Sequence, residues 1–285
     1  MEKIPYWLQS TLIAGLCGWL LWREAHTPAR VSKEKKLLRI CRNLTIAAGS
    51  AVLVQYVEIP VIRPLTALME VHNFGLINLL GLPEWIKTLV TILALDYTLY
   101  LWHWCNHRIS FLWRFHQPHH TDRDMDISTA VRFHFGEIFI SVGWRAIQVV
   151  SIGVSPIAYS IWQIGVLLCI LFHHSNVRLH RKMERVIGSV LVTPRMHEIH
   201  HSNVHAESNS NWSSGLSLWD RLHGTLRDDV PSEEITIGVP AYSSAKEVIL
   251  AKILRMPFVR QKESWRLPEG RLLEDRRLRF FETTH

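Results

Sequence analysis

Apolar residues in this chain gather into runs long enough to cross a bilayer, and short segments dense in charge separate the runs. Ile4 to Trp22 is apolar apart from Gln9, Ser10 and Thr11, and its roughly 19 residues suffice for one crossing. A signal peptide would need a basic start and a small-residue cleavage site. Here only Glu2 and Lys3 lead in, and Arg23, Arg30, Lys33, Lys35, Lys36, Arg39 and Arg42 follow. So basic a loop stays cytoplasmic, which predicts a retained anchor with its N-terminus outside. A second span runs from about Leu44 to Ile62 and ends near Pro60 and Pro64, which predicts a kinked or tilted exit. Its external loop, to about Glu84, has only Arg63 as a basic residue, and a third span from Trp85 to about Leu101 returns the chain inward.

Glu137 to Val154 and Pro156 to Phe172 predict a helical hairpin broken at Gly153 to Pro156, with Arg145 an imperfection in its first arm. No span follows His173. The expected fold is all-α, a polytopic membrane helical bundle with a cytoplasmic histidine-rich helical cap. It divides into N-terminal anchor helices (1–92), a histidine-rich segment that includes the membrane hairpin (93–230, hairpin at about 137–172) and a basic C-terminal cytoplasmic tail (231–285). In that tail Ser244-Ala-Lys-Glu247 reads as a capping box opening a basic amphipathic helix through Leu254, which suits either packing or an anionic leaflet. The charged run from Arg260 to Arg279 reads as a solvated end.

Composition narrows the function by exclusion. The net charge of +7 invites nucleic acid, but the basic residues flank apolar runs and form no long block, so no nucleic-acid partner is expected. Cys17, Cys41, Cys105 and Cys169 lie in or beside apolar segments without Cys-x-x-Cys spacing, which predicts reduced thiols and no zinc knuckle.

Chemistry enters with histidine. The stretch from His103 to His120 holds five histidines in 18 residues, and the spacing of His116, His119 and His120 is repeated by His197, His200 and His201. His103 and His107 sit one helical turn apart, so their imidazoles converge, as do those of each triplet. Converging neutral imidazoles suit a transition metal. Eight histidines exceed what one zinc needs, and His174, which leads the chain out of the membrane on the same side, is a ninth. They suit two metals, and an open nitrogen-rich site for dioxygen favours iron. Asp96 and Glu137 are placed to accept an imidazole N–H or to pair with an arginine such as Arg108 or Arg132, while His134 and His180 read as outer or interfacial histidines. A metal transporter would carry its ligands inside the bilayer, and a bis-histidine haem protein would oppose two of them on spanning helices; these lie at or beyond helix ends.

The order of motifs resembles one family. Asp96-Tyr97, His103-Trp-Cys-Asn-His107-Arg108, Phe115-His116-Gln-Pro-His119-His120 and Arg132-Phe-His134-Phe-Gly-Glu137 come first. His174-Ser-Asn176, Thr193-Pro-Arg-Met-His197-Glu-Ile-His200-His201, Asn211 and Trp219-Asp220-Arg221-Leu222-His223-Gly224-Thr225 follow. This arrangement is similar to the fatty acid hydroxylase and sterol desaturase superfamily of integral membrane non-haem di-iron oxygenases. The resemblance implies a catalytic domain over 93–230 whose histidines bind two iron ions, with Asn211 and Asp220 among the residues around them. It implies dioxygen as oxidant and a lipid substrate from the bilayer, fatty acyl or sterol in type, that is hydroxylated at an unactivated C–H or, alternatively, desaturated. Asn211-Trp212-Ser213 and His223 replace residues frequent in the family, which bears on substrate identity. With no nucleotide-binding fingerprint or haem domain in the chain, an external electron donor is expected, a ferredoxin or a cytochrome with its reductase. The terminal Glu-Thr-Thr-His is no endoplasmic reticulum retrieval signal, which favours a bacterial inner membrane with the site on its cytoplasmic side.

Overall fold

The computed structural model describes residues 5–276. Among them the chain is helical, with isolated β-bridges but no strand. Helix α1 spans Tyr6–His26, α2 Lys36–Leu53, α3 Ile59–His72 and α4 Glu84–Arg108. Next come α5 (Ser110–His120), α6 (Phe135–Ile152) and α7 (Pro156–His174). Five short helices follow: α8 (Arg181–Gly188), α9 (Pro194–His200), α10 (His205–Ser208), α11 (Leu218–Leu222) and α12 (Leu250–Arg255).

Three stretches are long and apolar enough to cross a membrane, residues 36–72, 135–152 and 156–174, and they mark a helical membrane protein. Helices α1 and α4, also expected to cross, are not among them. Gln9 to Thr11 and Arg23 lower the hydropathy of α1, and Asp96 with two histidines does the same for α4.

The second span is longer than its prolines suggest. It continues past Ile62 to His72 with Pro64 inside it, because Val54–Glu58 form a π-turn in which the Ile59 N–H reaches back to the Val54 carbonyl. A proline crowds the carbonyl four residues before it; the wider turn ahead of Pro60 absorbs that crowding without ending the helix.

The hairpin forms where the pattern puts it. Gly153, at φ 85°, ends α6; Ser155 Oγ accepts from the Ala158 N–H at 3.3 Å, and Pro156 opens α7. Its tip is fastened to the loop after α3. The Leu76 and Ile77 N–H groups donate to Ser151 and Ile152 at 3.0 Å each, and a Cβ on Gly75 would stand 2.3 Å from Gly153 Cα. Ile62 and Met69 of α3 pack with Val149 of α6 and Leu95 of α4, and Leu20 of α1 packs on Leu171 of α7.

Below this apolar layer lies a buried ionic one. Arg39, in the first turn of α2, donates to Asp122 at 2.9 Å and to Asp126, while Asn43 donates to Asp122 at 2.9 Å. Arg132 donates to Asn43 Oδ1 at 2.6 Å and to the Pro118 carbonyl at 3.0 Å, and burial holds its guanidinium down at about 10. Buried charges survive only when paired in this way. The network clamps the start of α2 to the loop that leaves α5.

The C-terminal segment packs back onto the bundle. Val239, Tyr242, Val248 and Ile253 cluster with Ile46 of α2, and Trp113 of α5 packs against them. The expected helix from Ser244 to Leu254 is instead a 3-10 turn at Ala245–Glu247, where Ser244 Oγ accepts from the Lys246 N–H at 3.3 Å, and then α12. Val248 is fully buried at the break, so burying one apolar side chain outweighs a continued helix there. The charged run beyond Arg260 is anchored rather than freely solvated: Arg227 pairs with Asp275 at 2.6 Å and Arg276 with Glu207 at 2.9 Å. Residues 277–279 of that run lie outside the described residues.

Candidate metal centre

Four helices bring the histidines together. Helix α4 ends with His103 and His107, α5 with His116, His119 and His120, and α7 with His173 and His174. Thr193 Oγ1 caps α9 by accepting from the Met196 N–H at 3.3 Å, with Pro194 in the first turn, and α9 presents His197, His200 and, at its end, His201.

The rings form two groups, each with ligand atoms within 4.8 Å of one another and each able to hold a metal ion. One contains His103, His107, His116, His120 and His200; the other contains His119, His174, His197 and His201. Each His-x-x-His-His triplet is therefore divided, although its spacing predicts a single converging set. The i, i+4 pair, His116 with His120 or His197 with His201, stays together, and the intervening His119 or His200 turns to the other group. Helices α5 and α9 thus feed both groups in crossed fashion.

Ring orientation is set from outside each group. His103 Nδ1 lies 2.8 Å from the Trp212 carbonyl, His116 Nδ1 2.8 Å from Glu137 Oε1, His200 Nδ1 2.8 Å from the Ser210 carbonyl and His174 Nδ1 2.9 Å from the Ile170 carbonyl. With Nδ1–H donating outward, the unprotonated Nε2 faces inward. His116 Nε2 stands 3.2 Å from that of His103 and 3.1 Å from that of His120. In the other group, His174 Nε2 is 3.1 Å from His119 and 3.0 Å from His197, which is 3.1 Å from His201. His107 Nε2 and His200 Nε2 are buried with no hydrogen-bond partner among the described residues. Burial first, and neighbouring imidazoles second, push His103 down to about 3 and hold His107, His119, His120, His197, His200 and His201 well below their ordinary value, so these rings are neutral donors.

A cavity of about 170 Å³ opens onto both groups. His103, His116, His119 and His174 form its floor, and mainly apolar side chains of α4, α6 and α7, including Leu99, Ile138 and Val166, form its walls. Arg145 lies farther along, its guanidinium 4.5 Å from the Trp162 ring centroid.

Residues 88–225 match the sequence model of the fatty acid hydroxylase family, a stretch that includes both histidine groups. That segment belongs to the fatty acid hydroxylase family. Among curated proteins, the chain is similar to an ornithine lipid hydroxylase of Rhizobium tropici, with 31% identity over 55% of this chain and 47% of the relative. It is also similar to the alkylglycerol monooxygenase of Danio rerio (23% over 92% of this chain and 54% of the relative) and to human cholesterol 25-hydroxylase (23% over 49% and 50%). The chain thus spans about half the length of these relatives. No solved structure matches it at a significant level.

Around the two histidine groups, the flanking residues take several roles. Glu137 accepts from His116, the first of the two roles open to it from its position. Asp96 reaches no histidine; it accepts from the Leu216 N–H at 3.0 Å and Trp219 Nε1 at 2.7 Å, because the backbone folds over it at Gly215. Asp220 accepts from the Trp212 and Ser213 N–H groups at 3.0 Å each and so fixes the carbonyl to which His103 bonds. Asn211, at φ 52°, joins the Met196 carbonyl of α9 to the backbone of Arg227. His134 caps α6, its Nδ1 accepting from the Gly136 N–H at 3.0 Å and its Nε2 facing the Leu254 carbonyl at 3.2 Å. His180 is exposed and caps α8. Neither of these two histidines joins a group.

His173 is the residue that sequence reasoning passed over. It is buried, lines the cavity and lies 4.0 Å, ring to ring, from His197. Its place beside His174 was the available signal.

Proposed function

We propose that the protein is a non-haem di-iron oxygenase that hydroxylates a membrane lipid. His103, His107, His116, His120 and His200 would hold one iron, and His119, His174, His197 and His201 the other. The observation that carries this reading is the set of inward Nε2 atoms, 3.0–3.2 Å apart, on the floor of an apolar cavity. Nitrogens about 2.1 Å from a metal stand about 3.0 Å apart at right angles and about 3.4 Å apart at the tetrahedral angle. The spacing fits a centre of more than four ligands, and the buried, unpartnered Nε2 atoms of His107 and His200 suit metal ligands better than members of a hydrogen-bonded core.

When bound, the irons supply the activation of dioxygen that an unactivated C–H requires. The chain's own residues do the rest. Glu137 and the carbonyls of Trp212, Ser210 and Ile170 keep the Nδ1 of His116, His103, His200 and His174 protonated and those four rings aimed. The walls formed by α4, α6 and α7 receive a lipid chain from the apolar layer and exclude water from the floor. Two electrons per turnover come from an external carrier, a ferredoxin or a cytochrome with its reductase. The names of the relatives, hydroxylases and a monooxygenase, favour hydroxylation over desaturation. We place the site on the cytoplasmic side of its membrane, because the basic segment 23–42 lies on the histidine side of the bundle.

Iron analysis of the purified protein, with lipid mass spectrometry under labelled dioxygen, tests the reading. About two irons per chain without haem absorbance are expected, together with a lipid that gains one labelled oxygen. A lipid that loses two hydrogens instead would make the protein a desaturase, and a chain that binds no iron would overturn the proposal.

A further inference from the structure

We propose that Trp113 and Trp265 form the route by which electrons reach the histidine centre, and that they come from a small one-electron carrier protein with an acidic face. This rests on the di-iron reading above and names the partner of that same site.

The histidine floor is buried, so a carrier protein cannot touch it. One line of aromatic rings leads outward. The Trp113 ring lies 5.0 Å from His107 and 5.4 Å from His120, centroid to centroid. Trp265 stacks on Trp113 at 5.5 Å with 28° between the planes, and the exposed His205 follows at 4.9 Å. Two indoles therefore span the distance from metal-group imidazole to surface, each ring in contact with the next. Contiguous π-systems couple electronically better than saturated side chains of the same length.

The pair is held in place. Trp113 Nε1 donates to Ser264 Oγ at 3.0 Å, and the Gln117 amide donates to the same oxygen, so the residue beside Trp265 is tied twice to α5. The outer indole is half-buried, and its chain neighbours Glu263 and Arg266, which pair with each other at 2.6 Å, are exposed. Charge then selects the partner. Arg114, next in sequence to Trp113, donates to the Val259 carbonyl at 3.3 Å, Arg108 lies 5.5 Å from the Trp212 ring centroid, and neither makes an ion pair with a carboxylate among the described residues. Arg108 is close enough to His205 to help depress its imidazole, after burial. Unpaired guanidinium groups beside an aromatic exit suit an acidic protein surface.

The electrons balance over one turnover. Lipid C–H and dioxygen take up two electrons and two protons and give lipid C–OH and water. The reduced carrier loses one electron per encounter, so two encounters serve each product, and the protons come from solvent.

The test uses the full-length, iron-loaded protein in neutral-lipid nanodiscs, with reduced plant-type ferredoxin as the acidic carrier and reduced cytochrome c as a basic one. Oxidation of the carrier is followed by absorbance in stopped flow. Trp113→Leu and Trp265→Leu should slow ferredoxin oxidation at saturating carrier by roughly an order of magnitude or more. Trp113→Phe and Trp265→Phe should restore most of it, while reduction by dithionite stays unchanged. Ferredoxin binding, measured on the iron-free protein as well, should survive Trp113→Leu and weaken with Arg108→Gln plus Arg114→Gln and with added salt. Should Trp113→Leu lose iron, Trp265→Leu decides, since that ring touches no histidine of either group. Unchanged ferredoxin oxidation in iron-replete Trp265→Leu would overturn the route, and equal use of cytochrome c would overturn the acidic partner. A wild-type protein that binds no iron would instead remove the reading beneath it, with the binding measurements still deciding the docking face.

Discussion

His116 Nδ1 sits 2.8 Å from Glu137 Oε1, and this contact ties the histidine-bearing side of α5 to the first turn of a membrane helix. Among the described residues it is the one carboxylate contact to a ring of either group. Glu137→Ala should lower iron affinity about 10–100-fold, while Glu137→Gln, whose amide oxygen still accepts, should lose less. Iron titration of the apo variants checks both.

His119 and His200 are the residues that cross between triplets. His119→Ala or His200→Ala should each abolish lipid oxidation and reduce bound iron. His180→Ala should keep the iron and lose only a helix cap, about 1 kcal/mol. Full lipid oxidation in His119→Ala or His200→Ala would remove that residue from the centre.

Acid should destabilise the metal-free protein. His103 is held at about 3 against an ordinary value of 6.5, so between those values the unfolded chain binds the proton and the folded chain does not. The stabilisation is complete above the ordinary value and falls away as pH drops toward the folded one. Thermal unfolding of apo protein from neutral to mildly acidic pH should show Tm falling, and a flat profile would contradict neutral packing of the rings.

Val166 lines the cavity on α7, near its middle. Val166→Trp should fill the space and stop lipid oxidation, with iron content retained. Oxidation at the wild-type rate would mean that substrate reaches the histidines by another path.

Arg39→Met leaves Asp122 and Asp126 buried without their shared guanidinium. A loss of about 3–5 kcal/mol is expected. Denaturant unfolding in detergent measures it, and the asymmetry is informative: Lys36→Met nearby, whose contact to Glu24 is 3.9 Å and half exposed, should change little.

Much of this architecture is legible in the residues because it depends on local signals. Gly153, Ser155 and Pro156 end one helix and start another wherever they occur between apolar runs, and Thr193-Pro194 does the same for α9. Eight of the nine histidines announced themselves by spacing, and His174 by its place at the end of an apolar run. The rest depends on partners far along the chain. Pro60 reads as an exit, yet the π-turn before it keeps the helix going. Asp96 looks aimed at a histidine, but its hydrogen bonds go to residues some 120 positions later. Arg39 reads as one more basic residue in a topogenic loop, and only the fold reveals Asp122 and Asp126 around it.

The crossed wiring of α5 and α9 has a consequence for how such a centre can change. Each helix is a rigid rod that carries donors for both groups, so a small rotation that improves one set of rings misaligns the other. Neither group can be retuned, weakened or lost alone. Substitutions that shift either helix should therefore fail in an all-or-none manner, and variation that adapts the protein to a new lipid is left to the cavity walls.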